Sequence, residues 1–399
     1  MRAAARRLVL RNARLSDAHR GTLADVALAA GRVAAVEPPG TIAAQDAEAD
    51  LEGRLLLPGF VNAHDHLDFS TLPALSSGLY RNAYEWTVAL AERQAEAAVQ
   101  AALAVPVADR LFLGGLRNLL AGATAVVHHH AFHRSLARPD FPVRVLARYQ
   151  FAHSPGLTRE LRRTYRTTDR RIPWFIHVGE GTDERSRGEV DLLARENLLR
   201  QNTVMIHAIA LPAEALPAVA AARASVVWCP EANRRLYGAT ANVEALRAAG
   251  VRVGLGSDGP VSGAGDALSN LAAARAEGVM SDAQLLTLAT LDSAEVARLP
   301  VGGVRVGDVA DLLVADSSER LLAGRRSAVA LVLIAGRPRY GHDGLMRALD
   351  RGSVPLRVDG EPRCLDAPTG RRASALWRAH PGARLSEWAA GVDPAGAAV

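Results

Sequence analysis

Six side chains in this sequence have the types and spacing to do chemistry around a cation. His64 and His66 flank Asp65 at the end of an apolar run, residues 55–61. In a strand, alternate side chains share a face, so two histidines at i and i+2 point the same way. Two imidazoles so placed can grip one divalent cation. The plainer alternative is a surface turn with incidental histidines. His177 follows Pro173-Trp174-Phe175-Ile176, and Glu180 lies three residues beyond it. His207 follows Thr203-Val204-Met205-Ile206, and Asp258 follows Gly256-Ser257 after another apolar run. Imidazoles with a carboxylate suit Zn2+ best, with Fe2+ or Mn2+ as alternatives.

The elements that must carry these residues are short apolar strands alternating with helices, the pattern of parallel βα units. Expected strands lie at 55–61, 124–127, 143–151, 173–177, 203–207, 225–228 and 251–256, with helices at 84–99, 111–120, 157–165, 189–199, 213–222 and 243–249. That is seven strands. A (β/α)8 TIM-like barrel needs an eighth, expected between His153 and Pro173. In such a barrel the C-terminal ends of the strands converge on one face, where active sites lie. His64, His66, His177, His207 and Asp258 all fall at such ends, which raises the metal reading above the incidental one. Before residue 55 and after residue 300 the texture is short β-strands with turn signals. The expected organisation is a small β-sandwich from 1–54 and 301–345, a barrel over 55–300, and a helical or irregular extension over 346–399.

Bulk composition narrows the classes. The chain has 399 residues, 49% hydrophobic and 22% charged, normal for a soluble globular protein. Its formal charge of +5 tempts a nucleic-acid reading, but all 47 basic residues are arginine and they are scattered among acids. No nucleic-acid partner is expected. With no lysine, neither a Schiff base nor a carboxylated lysine bridging two metals can form here. The two cysteines, Cys229 and Cys364, make no CxxC, which fits a reducing cytoplasm. No apolar run is long enough to span a bilayer, and no membrane partner is expected. A homodimer is the default assembly.

The motifs Pro58-Gly59-Phe60-Val61-Asn62-Ala63-His64-Asp65-His66, His177-Val178-Gly179-Glu180, His207, Cys229-Pro230-Glu231-Ala232-Asn233 and Gly256-Ser257-Asp258 together resemble the amidohydrolase superfamily. The likeness is to its mononuclear-metal deaminase and chlorohydrolase (ATZ/TRZ-like) branch, and it spans about residues 5 to 345. Gly303-Val304-Arg305-Val306-Gly307-Asp308-Val309-Ala310-Asp311-Leu312 resembles that family's return to its small β domain. The resemblance implies that His64, His66, His177 and Asp258 bind the metal. It implies that Asp258 also takes a proton from water and that Glu180 carries it to the leaving group. His207 would hydrogen-bond the attacking water or the oxyanion, or touch the metal. The physical chemistry is consistent: a divalent cation lowers the pKa of bound water from 15.7 towards about 7, and carboxylates beside it can relay the proton.

Each residue has a blander role open to it. Glu180 could be a solvated loop acid, His207 a prop, Asp258 a helix cap ahead of Pro260. Of His128, His129 and His130, one is expected to face the pocket, and His129 is favoured. His153, Trp86 and Trp228 are candidates to touch substrate, though tryptophans here fit a core as well. Asn233 is expected to order its loop. Trp228 stands where purine-acting relatives often carry His, and the segment 79–86 matches no purine or pterin signature, which argues against a standard nucleobase. The expected function is metal-dependent hydrolysis at a carbon–nitrogen centre of a small molecule. The alternatives are a cyclase closing a heterocycle with loss of water, and a scaffold without chemistry.

Overall fold

The computed structural model describes residues 7–16, 21–350, 352–380, 389 and 391–394. Five strands come first: β1 (Leu8–Leu15), β2 (Leu23–Ala29), β3 (Arg32–Glu37), β4 (Ala47–Asp50) and β5 (Leu55–Pro58). Eight follow with helices between most of them: β6 (Phe60–Asp65), β7 (Ala123–His128), β8 (Arg144–Val145), β9 (Gln150–Ala152), β10 (Trp174–Val178), β11 (Thr203–His207), β12 (Ser225–Trp228) and β13 (Arg252–Leu255). Six close the chain: β14 (Leu312–Ala315), β15 (Val329–Ile334), β16 (Arg337–His342), β17 (Val354–Val358), β18 (Glu361–Leu365) and β19 (Val392–Pro394).

The outer segments make one sheet of 11 strands, ordered β19-β17-β18-β16-β15-β14-β5-β1-β2-β3 with β4 beside β1. Chain ends far apart in sequence therefore share one ladder. The extension after 345 supplies β17, β18 and β19 to it as well as the helix Ala367–Ala379. A helical or irregular reading of that stretch misses the strands, because Arg and Pro dilute the period-2 pattern.

The apolar run at 55–61 is two strands, not one. β5 pairs with β14 and β1, whereas β6 pairs with β7 in a different sheet. The break falls at Gly59, whose missing side chain is needed: a Cβ there would lie 2.1 Å from Thr124 Cγ2 and 2.7 Å from Thr124 Cβ. The backbone of β5–β6 thus passes directly over β7, and only glycine permits that approach.

β6 to β13 are parallel and fall into two arcs, β6-β7-β8 and β9-β10-β11-β12-β13. A parallel bridge between Asp65 and Asp258 joins the first arc to the end of the second. The eighth strand lies inside the expected third one: 143–151 divides into β8 and β9. The stretch from 153 to 173 instead holds the helix Leu161–Arg166. Periodicity cannot mark a break inside a continuous half-apolar run.

Alternate residues of these strands separate into two buried clusters. Val61, Ala63, Ala125, Val127, Phe175, Val204, Ile206, Val227 and Cys229 pack with one another. Trp174, Ile176, Met205, Val226, Trp228, Val253 and Leu255 pack with apolar residues of the helices, such as Leu193, Leu246 and Leu271. This is the period-2 division expected of strands covered on both faces.

Candidate metal centre

Four histidines and an aspartate from four different strands meet at the C-terminal ends. His64 is fully buried. Its ring lies 5.1 Å from that of His66, 5.0 Å from His177 and 5.8 Å from His207. Asp258 Oδ1 stands 3.3 Å from His64 Nε2 and 3.5 Å from His66 Nε2. Two sets of donors, His64/His177/His207 and His64/His66/Asp258, each fall within 4.8 Å of one another.

Local backbone puts them there. His66 and Asp258 are tied by backbone bonds: His66 N–H donates to Asp258 C=O at 2.7 Å, and Ser257 and Asp258 N–H donate to His64 C=O at 2.9 and 3.1 Å. Asp258 has φ +63° and His207 φ +72°, left-handed conformations that L side chains rarely adopt. By alternation His207 belongs with Met205, on the helix-facing side. The left-handed turn at its own Cα brings it instead beside His64 and His177. Such strain is held only where surrounding structure demands it.

The donor chemistry fits a divalent cation. Both nitrogens of His64, Nδ1 of His66 and Nε2 of His177 and of His207 are buried without a hydrogen-bond partner among the described residues. Buried polar atoms are nearly always satisfied, so this many orphans in one place calls for a ligand. His177 Nδ1 is 2.8 Å from Glu180 Oε2 and His207 Nδ1 is 2.8 Å from Asn233 Oδ1. With Nδ1 as donor in each, Nε2 is the free lone pair. Burial pushes His64 down to about 3, against the opposing pull of Asp258. Burial and the neighbouring histidines hold His66 well below its usual value. Both are thus neutral, the form that ligates metal.

Glu180 sits at the rim of this cluster. Its Oε1 accepts the Tyr237 hydroxyl at 2.6 Å and is 3.6 Å from His207 Nε2. Burial pushes its carboxyl up, but His207 and His177 and the bonds from His177 and Tyr237 outweigh that and hold it at about 2. Its turn is clamped from outside. Gly179 N–H donates to Glu189 Oε2 at 2.8 Å, and Glu189 Oε1 accepts the Tyr84 hydroxyl at 2.6 Å. Ala83 N–H donates to Glu180 C=O at 2.9 Å.

His129 is brought to the cluster, fully buried, with its ring 4.8 Å from His64 and 4.6 Å from His177. His128 instead accepts Leu67 N–H at 3.3 Å, and His130 faces Asp68 at 3.0 Å. His153 is close by, 5.7 Å from His129 and 6.2 Å from His177. Trp86 is one layer removed: it packs with Tyr80, Leu236 and Tyr237, and through Tyr237 backs Glu180. The structure does not bring Trp228 to the cluster. Its indole is fully buried against the helices, with Nε1 donating to Thr240 Oγ1 at 2.7 Å. Strand alternation explains this: Val227 and Cys229 face inward, so Trp228 faces out. A large cleft of about 1010 Å³, between 136–145 and 334–339, holds none of these donors.

Sequence reasoning missed three groups. Tyr237 ends the helix Pro230–Tyr237 just before Gly238, with no motif to mark it. Glu189 looks like an ordinary first-turn helix acid. Asp65, between the two histidines, is fully buried and held by Arg117 Nη2, Asn118 Nδ2 at 2.7 Å and Asn62 Nδ2 at 3.0 Å. For Asp65 a signal existed: a charged residue inside a buried strand needs a partner, and Arg117 and Asn118 interrupt the apolar second half of the helix Val107–Leu120.

Comparison with known proteins places this arrangement in context. A 5-methylthioadenosine/S-adenosylhomocysteine deaminase of Halobacterium salinarum is 28% identical, covering 72% of this chain and 78% of that protein. The protein of the same name from Moorella thermoacetica is 31% identical over 37% of this chain and 36% of its own length. Among solved structures, a zinc-bound adenosine deaminase from Xanthomonas campestris superposes with a TM-score of 0.67 at 21% identity, covering 83% of this chain and 92% of that one. Zinc-bound atrazine chlorohydrolase TrzN from Arthrobacter aurescens does so with a TM-score of 0.65 at 17% identity, covering 83% and 94%. Residues 167–338, which carry His177, Glu180, His207 and Asp258, match the Amidohydrolase family model, and the chain therefore contains an amidohydrolase-family domain.

Proposed function

We propose that this chain is a metal-dependent hydrolase that deaminates, or opens a cyclic amide or amidine in, a small molecule, using one zinc ion. In this reading the two arcs of parallel strands act as a single (β/α)8 barrel, and the outer segments form its companion β domain. His64, His66, His177 and Asp258 hold the cation. When bound, the cation supplies Lewis acidity, which makes water acidic enough to lose a proton near neutral pH.

The chain's own residues do the rest. Asp258 accepts the proton from the attacking water. Glu180 receives it and delivers it to the departing nitrogen, its distance from His207 and Tyr237 keeping the carboxylate aimed inward. His207, its Nδ1 held by Asn233, donates from Nε2 toward the oxygen on which negative charge develops once that nitrogen has taken up a proton. His129 and His153 border the space left for substrate.

The observation that carries this reading is Glu180, buried at the rim of the histidine cluster, in contact with His177 and Tyr237 and 3.6 Å from His207. A scaffold without chemistry has no use for such an arrangement. The test is a panel spanning 5-methylthioadenosine, S-adenosylhomocysteine, aminotriazines and cyclic amides, scored by ammonia or amine release for the amino compounds and by ring opening for the cyclic amides. His64→Ala should lose both bound metal and turnover. Full turnover in that variant, or ring formation without amine release, overturns the proposal.

A further inference from the structure

We infer that a second, weaker divalent-cation site lies beside the first, built from His66, Asp68 and His130. This goes beyond the function proposed above and rests on the reading that His66 is a ligand of the first cation. Donor atoms of these three residues fall within 4.8 Å of one another. His130 Nδ1 is 3.0 Å from both Oδ1 and Oδ2 of Asp68. The His66 and His130 rings are 4.7 Å apart. His66 is buried and its Nδ1 has no hydrogen-bond partner among the described residues.

The site is built rather than incidental. His66 stacks on Phe69 at 5.2 Å and 15°, and Phe69 also packs edge-on against His130. Tyr149 donates its hydroxyl to the His130 carbonyl, fixing the loop that carries the ring. Arg110 holds the Asp68 carbonyl at 3.0 Å. The Asp68 and His130 side chains remain 16% and 24% exposed, so a hydrated ion can reach them. Two imidazoles and a carboxylate are the donor set of many zinc sites that keep open positions for water. Occupation moves the His130 ring proton from Nδ1 to Nε2, and His66 either leaves the first cation or gives its remaining ring proton to solvent and bridges both cations as an imidazolate.

His66 belongs to both donor groups. A cation at the second site therefore draws on a ligand of the first. Loading it weakens the first centre or makes a two-cation centre, and either way turnover changes only at metal concentrations above those that fill the first site. Fewer donors, one of them shared, make the second site the weaker.

Equilibrium dialysis of the full chain against Zn2+ alone, with elemental analysis, tests this. The wild type should bind one equivalent tightly and a second at higher Zn2+. Asp68→Asn and His130→Gln should each lose the second equivalent and keep the first, with an unchanged melting profile. Excess Zn2+ should alter wild-type turnover but not that of Asp68→Asn. Saturation of the wild type at one equivalent overturns the inference, as does a second equivalent that persists in both variants or loss of both equivalents from a folded Asp68→Asn chain. Loss of the first equivalent alone, in the wild type, would instead count against the primary centre.

Discussion

Tyr237 donates its hydroxyl to Glu180 Oε1 at 2.6 Å while His177 Nδ1 sits 2.8 Å from Oε2, so both oxygens of this carboxylate are held by side chains from different strand–helix units. A proton carrier needs a fixed direction and a suitable pKa. Tyr237 contributes to both, from a position that no motif marks.

Tyr237→Phe removes one donor to the ionised form of Glu180, so the carboxyl pKa rises. The acid limb of the kcat profile should move to higher pH. A lost hydrogen bond to a charged group corresponds to a fall in kcat of about tenfold or more, with KM little changed. Metal content should stay at the wild-type level. An unaltered pH–rate profile would remove Tyr237 from the proton path.

Gly59→Ala tests the crossing of β5–β6 over β7. The added methyl would sit 2.1 Å from Thr124 Cγ2, and relief requires moving β7. Overpacking of this kind costs about 1–3 kcal/mol, and more here because Thr124 Cβ itself lies within 2.7 Å. Urea denaturation should show that loss, with partial recovery in Gly59→Ala/Thr124→Ala. No loss of stability would mean the two strands are not in this contact.

These two cases divide what the sequence carried from what it did not. The i, i+2 histidines and the residues ending successive apolar runs were legible, because strand alternation and parallel βα order are local consequences of spacing. His207 was found by position, although its inward aim depends on a left-handed turn that alternation contradicts. Trp228 was misplaced for the converse reason: the alternation was there to be read, and Cys229 facing inward fixes the tryptophan outward. The β8–β9 break and the strands after residue 350 were hidden. β8 pairs with β7 and β9 with β10, so the break is set by two different partners and not by any change in apolar pattern. After 350 Arg and Pro dilute the alternation.

Glu189→Gln addresses the clamp on the Glu180 turn through pH. Burial pushes the Glu189 carboxyl up to about 7, against the Tyr84 hydroxyl and the Gly179 N–H, from 4.5 in the unfolded chain. A group whose folded pKa is raised stabilises fully below its unfolded value and loses that contribution as pH climbs to the folded one. Wild-type stability should therefore decline between about pH 4.5 and 7, by on the order of 3 kcal/mol. The glutamine variant should lack that decline, becoming more stable relative to wild type at pH 8 than at pH 5. Denaturation midpoints at the two pH values decide it; parallel curves would show that Glu189 titrates normally.

Asp65 and Arg117 form an ion pair with both side chains fully buried, next to the histidine pair that Asp65 separates in sequence. Burial pushes the Asp65 carboxyl up while Arg117 and Asn118 pull it down. The Arg117 guanidinium also donates to the Gly265 carbonyl. Asp65 is bridged in turn to Asp258 through the backbone. Removing Arg117 alone strands a buried carboxylate between two metal ligands, which costs about 3–5 kcal/mol. Arg117→Met should therefore be severely destabilised and bind the first cation more weakly. Asp65→Asn/Arg117→Met removes the stranded charge and should recover much of the stability, because a buried pair is worth far less than either partner left alone. Whether cation affinity recovers with it separates two roles. Recovery of both means Arg117 serves only to neutralise Asp65. Recovery of stability without affinity means the pair also fixes the strand register that aims His64 and His66. Additive losses in the double variant would show that the two residues do not act as a pair at all.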